Sequence, residues 1–119
     1  MNVQNVADRL VEFCREGKYR QAQQELYASN SVSIEPDGSP WRSAEGLKAI
    51  HAKIDQWEEM VEEIHSMNVT TPVISGNFIS CKMDNDITFK GMGRINGSEI
   101  AIFEVRDGKI VREHFFYST

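Results

Sequence analysis

The stretch Phe103–Tyr117, FEVRDGKIVREHFFY, decides how this chain folds. Two alternating, largely apolar arms flank Asp107-Gly108, a dipeptide that favours a two-residue hairpin turn because both residues tolerate positive φ. Counted outward from that turn, one face carries Ile100, Ile102, Glu104, Val111, Glu113, Phe115 and Tyr117. The other carries Glu99, Ala101, Phe103, Val105, Ile110, Arg112, His114 and Phe116, since side chains alternate along a strand. Both faces are mostly apolar, which suits a sheet covered on both sides. The Glu113, Phe115, Tyr117 face is assigned to a cavity, with Glu104 beside it, because a few polar groups among aromatics orient an apolar guest. Glu104 and Glu113 can equally be read as ordinary exposed strand charges. Phe103, Val105, Ile110 and Phe116 form too large an apolar surface for a monomer to expose. They predict a two-fold dimer through the outer sheet face, burying at least about 1,200 Å².

Upstream of the hairpin the pattern changes from helix to strand near the middle of the chain. Val3, Val6, Leu10, Phe13 and Cys14 recur at helical intervals, and Gly17 supplies a stop. Tyr19, Ala22 and Leu26 predict a second short helix ending near Ser29-Asn30, and SVSIEP (31–36) a short strand at the sheet's margin. After a turn-rich loop, Ser43 is placed as the N-cap of a third helix. Leu47, Ile50, Ile54, Trp57 and Val61 mark its stripe, and it ends near Met60, where the sequence becomes too β-branched to stay helical. Gly76-Asn77 turns into a long alternating strand, FISCKMDNDITF, and KGMGRINGS (90–98) is assigned to a glycine-rich turn before the closing hairpin. The order α-α-β-α-β-β-β-β predicts an α+β fold, with three N-terminal helices on one face of a curved, mainly antiparallel sheet.

At 119 residues the chain reads as a single domain, 1–119, large enough to bury a core without staples. Cys14 and Cys81 lie in apolar patterns and read as buried free thiols of a reducing compartment, with a disulfide the alternative. No signal-peptide pattern precedes the first helix and no apolar run approaches a membrane span, so a cytoplasmic location is expected. A net charge of −5, with the basic residues scattered, argues against nucleic acid or an anionic membrane as partner. GMGRING leads into a strand, so it offers no helix N-terminus to a phosphate. The three histidines are dispersed, and Glu63 with His65 lacks a third ligand, so neither metal nor cofactor is expected.

This order of elements, filled with these residues, resembles the nuclear transport factor 2-like superfamily, and within it the SnoaL-like and ketosteroid isomerase-like proteins. The resemblance covers the whole chain. It rests on helix–Gly17–helix, IEPDGSPWRSAEGLKAI (34–50) and FEVRDGKIV (103–111), with MVEEIHSM, DITFKGMGR and REHFFY similar to a poorly characterised SnoaL-like group. It implies a cone with a pocket at its wide end, and in many members a dimer. It leaves open isomerases, cyclases, dehydratases, hydrolases and non-catalytic binders.

The isomerases' catalytic Asp-Pro is matched by Glu35-Pro36, one residue further from Gly17, which would make Glu35 the base. Their two oxyanion donors fall near Leu10 and Ala101, which cannot donate, so steroid isomerisation is not implied. From the residues themselves, a two-residue Gly76-Asn77 turn places His65 across from Thr88 and diagonal to Asp86. That predicts a His65–Asp86 hydrogen bond under ~3.2 Å, the alternative being a structural histidine satisfied by a sheet neighbour. A bulge near Pro72 would separate the pair. Glu35, His65, Asp86 and Glu113 are thus expected to converge as catalytic groups, at least one acid with a raised pKa. Trp41, Glu104, Phe115 and Tyr117 are expected to line the cavity, and Trp57 to serve packing. Two functions stand. One is an acid–base enzyme of isomerase, cyclase or dehydratase type on a small apolar, carbonyl-bearing molecule; the other is a non-catalytic ligand-binding or dimerisation module.

Overall fold

A computed structural model describes Met1–Thr119. Helix α1 (Val3–Arg15) starts where Asn2 accepts the amide hydrogen of Asn5 at 2.8 Å, and it ends two residues before Gly17, which adopts φ +71°. Its inner stripe, from Val6 to Cys14, packs with Ala22 and Leu26 of α2 (Tyr19–Leu26). Strand β1 (Tyr27–Ile34) follows at once, so the chain leaves the helix earlier than periodicity predicts. The third helix, α3 (Leu47–Met60), passes into β3 (Val61–Val69) at the expected boundary. Its N-cap is Gly46 rather than Ser43. The Ser43 hydroxyl instead accepts the Glu35 amide hydrogen at 2.9 Å, and a two-residue strand β2 (Ala44–Glu45) separates it from the helix.

The remaining strands are β4 (Val73–Ser75), β5 (Phe78–Phe89), β6 (Gly93–Arg106) and β7 (Lys109–Phe116). In the sheet they run β2-β1-β7-β6-β5-β3, with β4 paired to β5. Every pairing is antiparallel except that of β1 with β7, which is parallel and joins the early strand to the last one. The glycine-rich turn is shorter than its sequence suggests: β6 starts at Gly93, and Asn96 and Gly97 are strand residues paired with Asp86 and Asn85. No helix is long and apolar enough to cross a membrane.

The closing hairpin has the two-residue turn its sequence predicts, with Asp107 at φ +51° and Gly108 at φ +75° and Arg106 opposite Lys109. Beyond it the register shifts. Val105 faces Ile110, yet Glu104 faces Arg112, so Val111 is an extra residue in β7. A β-bulge of one residue reverses the parity of everything beyond it. Glu113 and Phe115 therefore pair with Phe103 and Ala101 and share their inner face. Phe103, Val105 and Ile110, expected on a dimer surface, are at most 2% exposed and belong to the core. Cys14 and Cys81 are free thiols in the same core. The apolar side chains most exposed on the outer face of β5, β6 and β7 are Phe78, Ile100 and Phe116, with the His114 ring stacked on Phe116 at 4.1 Å.

Candidate active site

Between the inner face of the sheet and the three helices lies a cavity of about 660 Å³. Most of its wall is apolar, as the stripes of α1 and α3 and the odd-numbered residues of β5 and β6 require. Aromatic rings continue along one side. Tyr19 meets Trp57 edge-on at 5.6 Å, Trp57 meets Phe89 at 6.0 Å, and Trp41 tilts against Phe89 at 5.7 Å. Trp57 thus combines packing with a place on the cavity wall.

The charged side chains on this wall are Glu35, Lys53, Glu99 and Glu113. Glu35, one residue beyond β1, is almost fully enclosed at 6% side-chain exposure. Its carboxylate accepts hydrogen bonds from Lys53 Nζ and from the Tyr117 hydroxyl, each at 2.5 Å. Lys53 projects from α3 between Ile50 and Trp57 on the buried stripe, and it also donates to Ser33 Oγ at 2.6 Å. Tyr117 takes a hydrogen from Ser39 at 2.5 Å, and Ser39 Oγ accepts the Trp41 amide hydrogen at 3.0 Å. That sequence of donors fixes the loop carrying Trp41 to the residues after β7.

Glu113 is fully enclosed and accepts hydrogen bonds from the hydroxyls of Tyr27 and Ser33. Burial pushes its pKa up against the pull of both donors. Burial likewise raises the phenols of Tyr27 and Tyr117. Glu99 is different. It lies on the inner face of β6, and neither an ion pair nor a side-chain hydrogen bond holds it. Desolvation first, then the carboxylates of Glu35 and Glu113, push it up to about 7, with Lys53 opposing. The site therefore offers a held carboxylate at Glu35, a buried acid at Glu113 that keeps its proton more tightly than usual, and an acid near its midpoint at Glu99.

Of the eight side chains singled out from the sequence, Glu35, Glu113, Trp41, Phe115 and Tyr117 are on this wall. His65, Asp86 and Glu104 are not. A bulge between Ile64 and Ser66 turns His65 onto the outer face, where Nε2 meets Thr88 Oγ1 at 2.7 Å and Nδ1 meets Glu63 at 3.0 Å. Asp86 pairs with both nitrogens of the Arg94 fork, at 2.9 and 2.8 Å, so the expected His65–Asp86 hydrogen bond does not form. Glu104 pairs with Arg106 at 2.8 Å on that same outer face. Sequence reasoning missed Lys53, Glu99, Tyr27, Ser33 and Ser39. Lys53 had a signal: a lysine three residues after Ile50 and four before Trp57 lies on the apolar stripe. Leu10, at the position of one family donor, does line the cavity, whereas Ala101 is buried beneath it and Glu99 stands two residues away on the same face.

The whole molecule superposes on known folds. A Mesorhizobium loti protein provisionally named a SnoaL-like polyketide cyclase matches with TM-score 0.91 and 27% identity, over 98% of this chain and 100% of its own. A Xanthomonas campestris protein with a cystatin-like fold matches with TM-score 0.83 and 13% identity, over 100% and 92%. A Catenulispora acidiphila protein with a ketosteroid isomerase-like fold, in complex with trimethylamine, matches with TM-score 0.73 and 14% identity, over 95% and 85%. The last two likenesses speak for the fold alone. No curated protein matches the sequence. The SnoaL-like domain family matches residues 1–117, nearly the full length, and the chain belongs to that family.

Proposed function

We propose that this SnoaL-like protein is a small acid–base enzyme that moves a proton on an apolar, carbonyl-bearing compound, in a reaction of isomerase, cyclase or dehydratase type. The observation that carries this reading is the Glu35 carboxylate, fixed by Lys53 and Tyr117 in the wall of a largely apolar cavity. A base must reach the acidic C–H in a set orientation, and two hydrogen bonds to one carboxylate set it. Lys53 supplies positive charge beside the position where an enolate oxygen would develop. Glu113 holds the floor of the site through Tyr27 and Ser33. His65, Asp86 and Glu104 are no part of the site in this reading.

The experiment is deuterium exchange at the α-carbon of a panel of apolar aryl ketones, followed by NMR. Wild-type protein should accelerate exchange, and Glu35→Gln should reduce that acceleration by about 100-fold or more. The Lys53–Glu35 ion pair also favours a second reading, because a carboxylate paired with an ammonium is a weaker base. Ketones that bind without exchanging would leave the non-catalytic ligand-binding module in possession. The outer face bearing Phe78, Ile100 and Phe116 is the proposed dimer surface in either reading, and a monomer by light scattering at micromolar concentration would remove it.

A further inference from the structure

The polar groups of the cavity are unequally satisfied. Glu35 and Glu113 each accept two hydrogen bonds from named donors. Glu99 accepts none, although it stands on the wall of the same cavity and is only partly open to solvent. Its surroundings on the strand are bare. The neighbours on the same face of β6 are Gly97 and Ala101, with no side chain on one side and a single methyl on the other. Trp41, Trp57 and Phe89 line the same cavity further along, Phe89 opposite Gly93, while the phenols of Tyr19 and Tyr117 are close enough to feel the charge of Glu99. Three carboxyl groups face one lysine, and that lysine is already engaged by Glu35 and Ser33. A cleared space beside an unpartnered carboxyl, in a cavity that aromatic rings line elsewhere, has the chemistry that recognises an organic cation with an apolar body.

We propose that the cavity selects apolar ammonium compounds, with the cationic nitrogen against Glu99 and the apolar remainder among the aromatic rings of the cavity. This rests on the reading of the cavity as a small-molecule site, and it narrows the substrate class to molecules bearing a basic amine. Groups facing Glu99 from the packed elements are consistent with it. Cys14 of α1, Tyr19 of α2 and Cys81 of β5 are neutral at physiological pH, Glu35 and Glu113 are acids, and Lys53 of α3 is the lone positive charge. A bound cation supplies the counter-charge the wall lacks, whereas an anion would meet an acidic surface.

The test uses two isosteres, benzyltrimethylammonium and neopentylbenzene, which differ in one central atom and its charge. Calorimetric titration of the full chain at pH 8 should show the cation binding about tenfold or more tightly than the neutral probe. Glu99→Gln should erase that preference while leaving neopentylbenzene unchanged. Equal or weaker binding of the cation by wild-type protein, a comparison independent of any variant, would overturn the proposal and spare the small-molecule reading. A preference that survives in the Glu99→Gln variant would overturn it too. If neither probe enters, both readings fall together.

Discussion

On the outer face of the sheet, Asp86 has Arg94 and Glu104 has Arg106, each acid with its own guanidinium at about 2.8 Å. On the inner face, Glu35, Glu99 and Glu113 face a single lysine. The residue types are the same and their behaviour is opposite. Arg94 holds the Asp86 carboxyl below its ordinary range, while burial lifts Glu99 and Glu113 above theirs. Water compensates an outer charge whenever its partner moves away. An inner charge depends on the few donors the fold supplies, so its protonation state becomes a property of the architecture.

The comparison breaks most visibly with aromatic truncation. Phe103→Ala on the inner face should lower stability to urea by about 4 kcal/mol, whereas Phe116→Ala on the outer face of a monomer should cost under about 1 kcal/mol. Similar losses would mean that the outer face is buried in a partner. Next comes Lys53→Met, which leaves the enclosed Glu35 carboxylate without its ammonium. A loss of about 3 kcal/mol is expected at pH 8, and a loss under about 1 kcal/mol would refute the dependence on Lys53.

Titration of the two faces should run in opposite directions. The folded pKa of Glu99 lies near 7 against an ordinary 4.5, so the folded state binds its proton more tightly than the unfolded one. Its contribution is fully present below pH 4.5 and is lost as pH rises through about 7. That window should carry a decline of up to about 3 kcal/mol, which Glu99→Gln flattens. Asp86 has the reverse sign: its folded pKa is lowered from 3.8, so its contribution is present above 3.8 and lost as pH falls below. Asp86→Asn should flatten only that acid limb of a stability–pH curve. The smallest effect belongs to Arg94→Ala, an exposed partner whose loss should shift the urea midpoint least of all, and less still in high salt.

What the sequence made legible were features written locally. The α1 stripe ending at Gly17, the change from helix to strand at Met60, and the Asp107-Gly108 turn each depend on residues within a few positions of one another. The faces of the hairpin were not legible, because parity must be carried along the strand and one extra residue reverses it. A trace was present: Ile110 and Val111 are adjacent and both apolar, which interrupts the alternation where β7 bulges. His65 does meet Thr88, the residue it was read as facing, but on the outer face, and Asp86 is held by Arg94 instead. Glu35 was found because the resemblance fixed it independently of register. Glu99 was lost because it had only register to place it.

The parallel pairing of β1 with β7 has a consequence for how the molecule comes into being. Tyr27 and Glu113 are 86 positions apart, and so are partners that meet only after nearly the whole chain exists. Contacts of such long sequence separation require closure of a large loop before they contribute, and they slow folding relative to local ones. The helices and the β5–β6–β7 meander can form from neighbouring segments. The wall holding Glu35, Lys53, Glu113 and Tyr117 cannot, since it needs segments that emerge first and last during synthesis. Until the last strand docks, the acids remain in water with ordinary affinities for protons. The site therefore acquires its chemistry late and all at once, and a partly folded chain carries none of it.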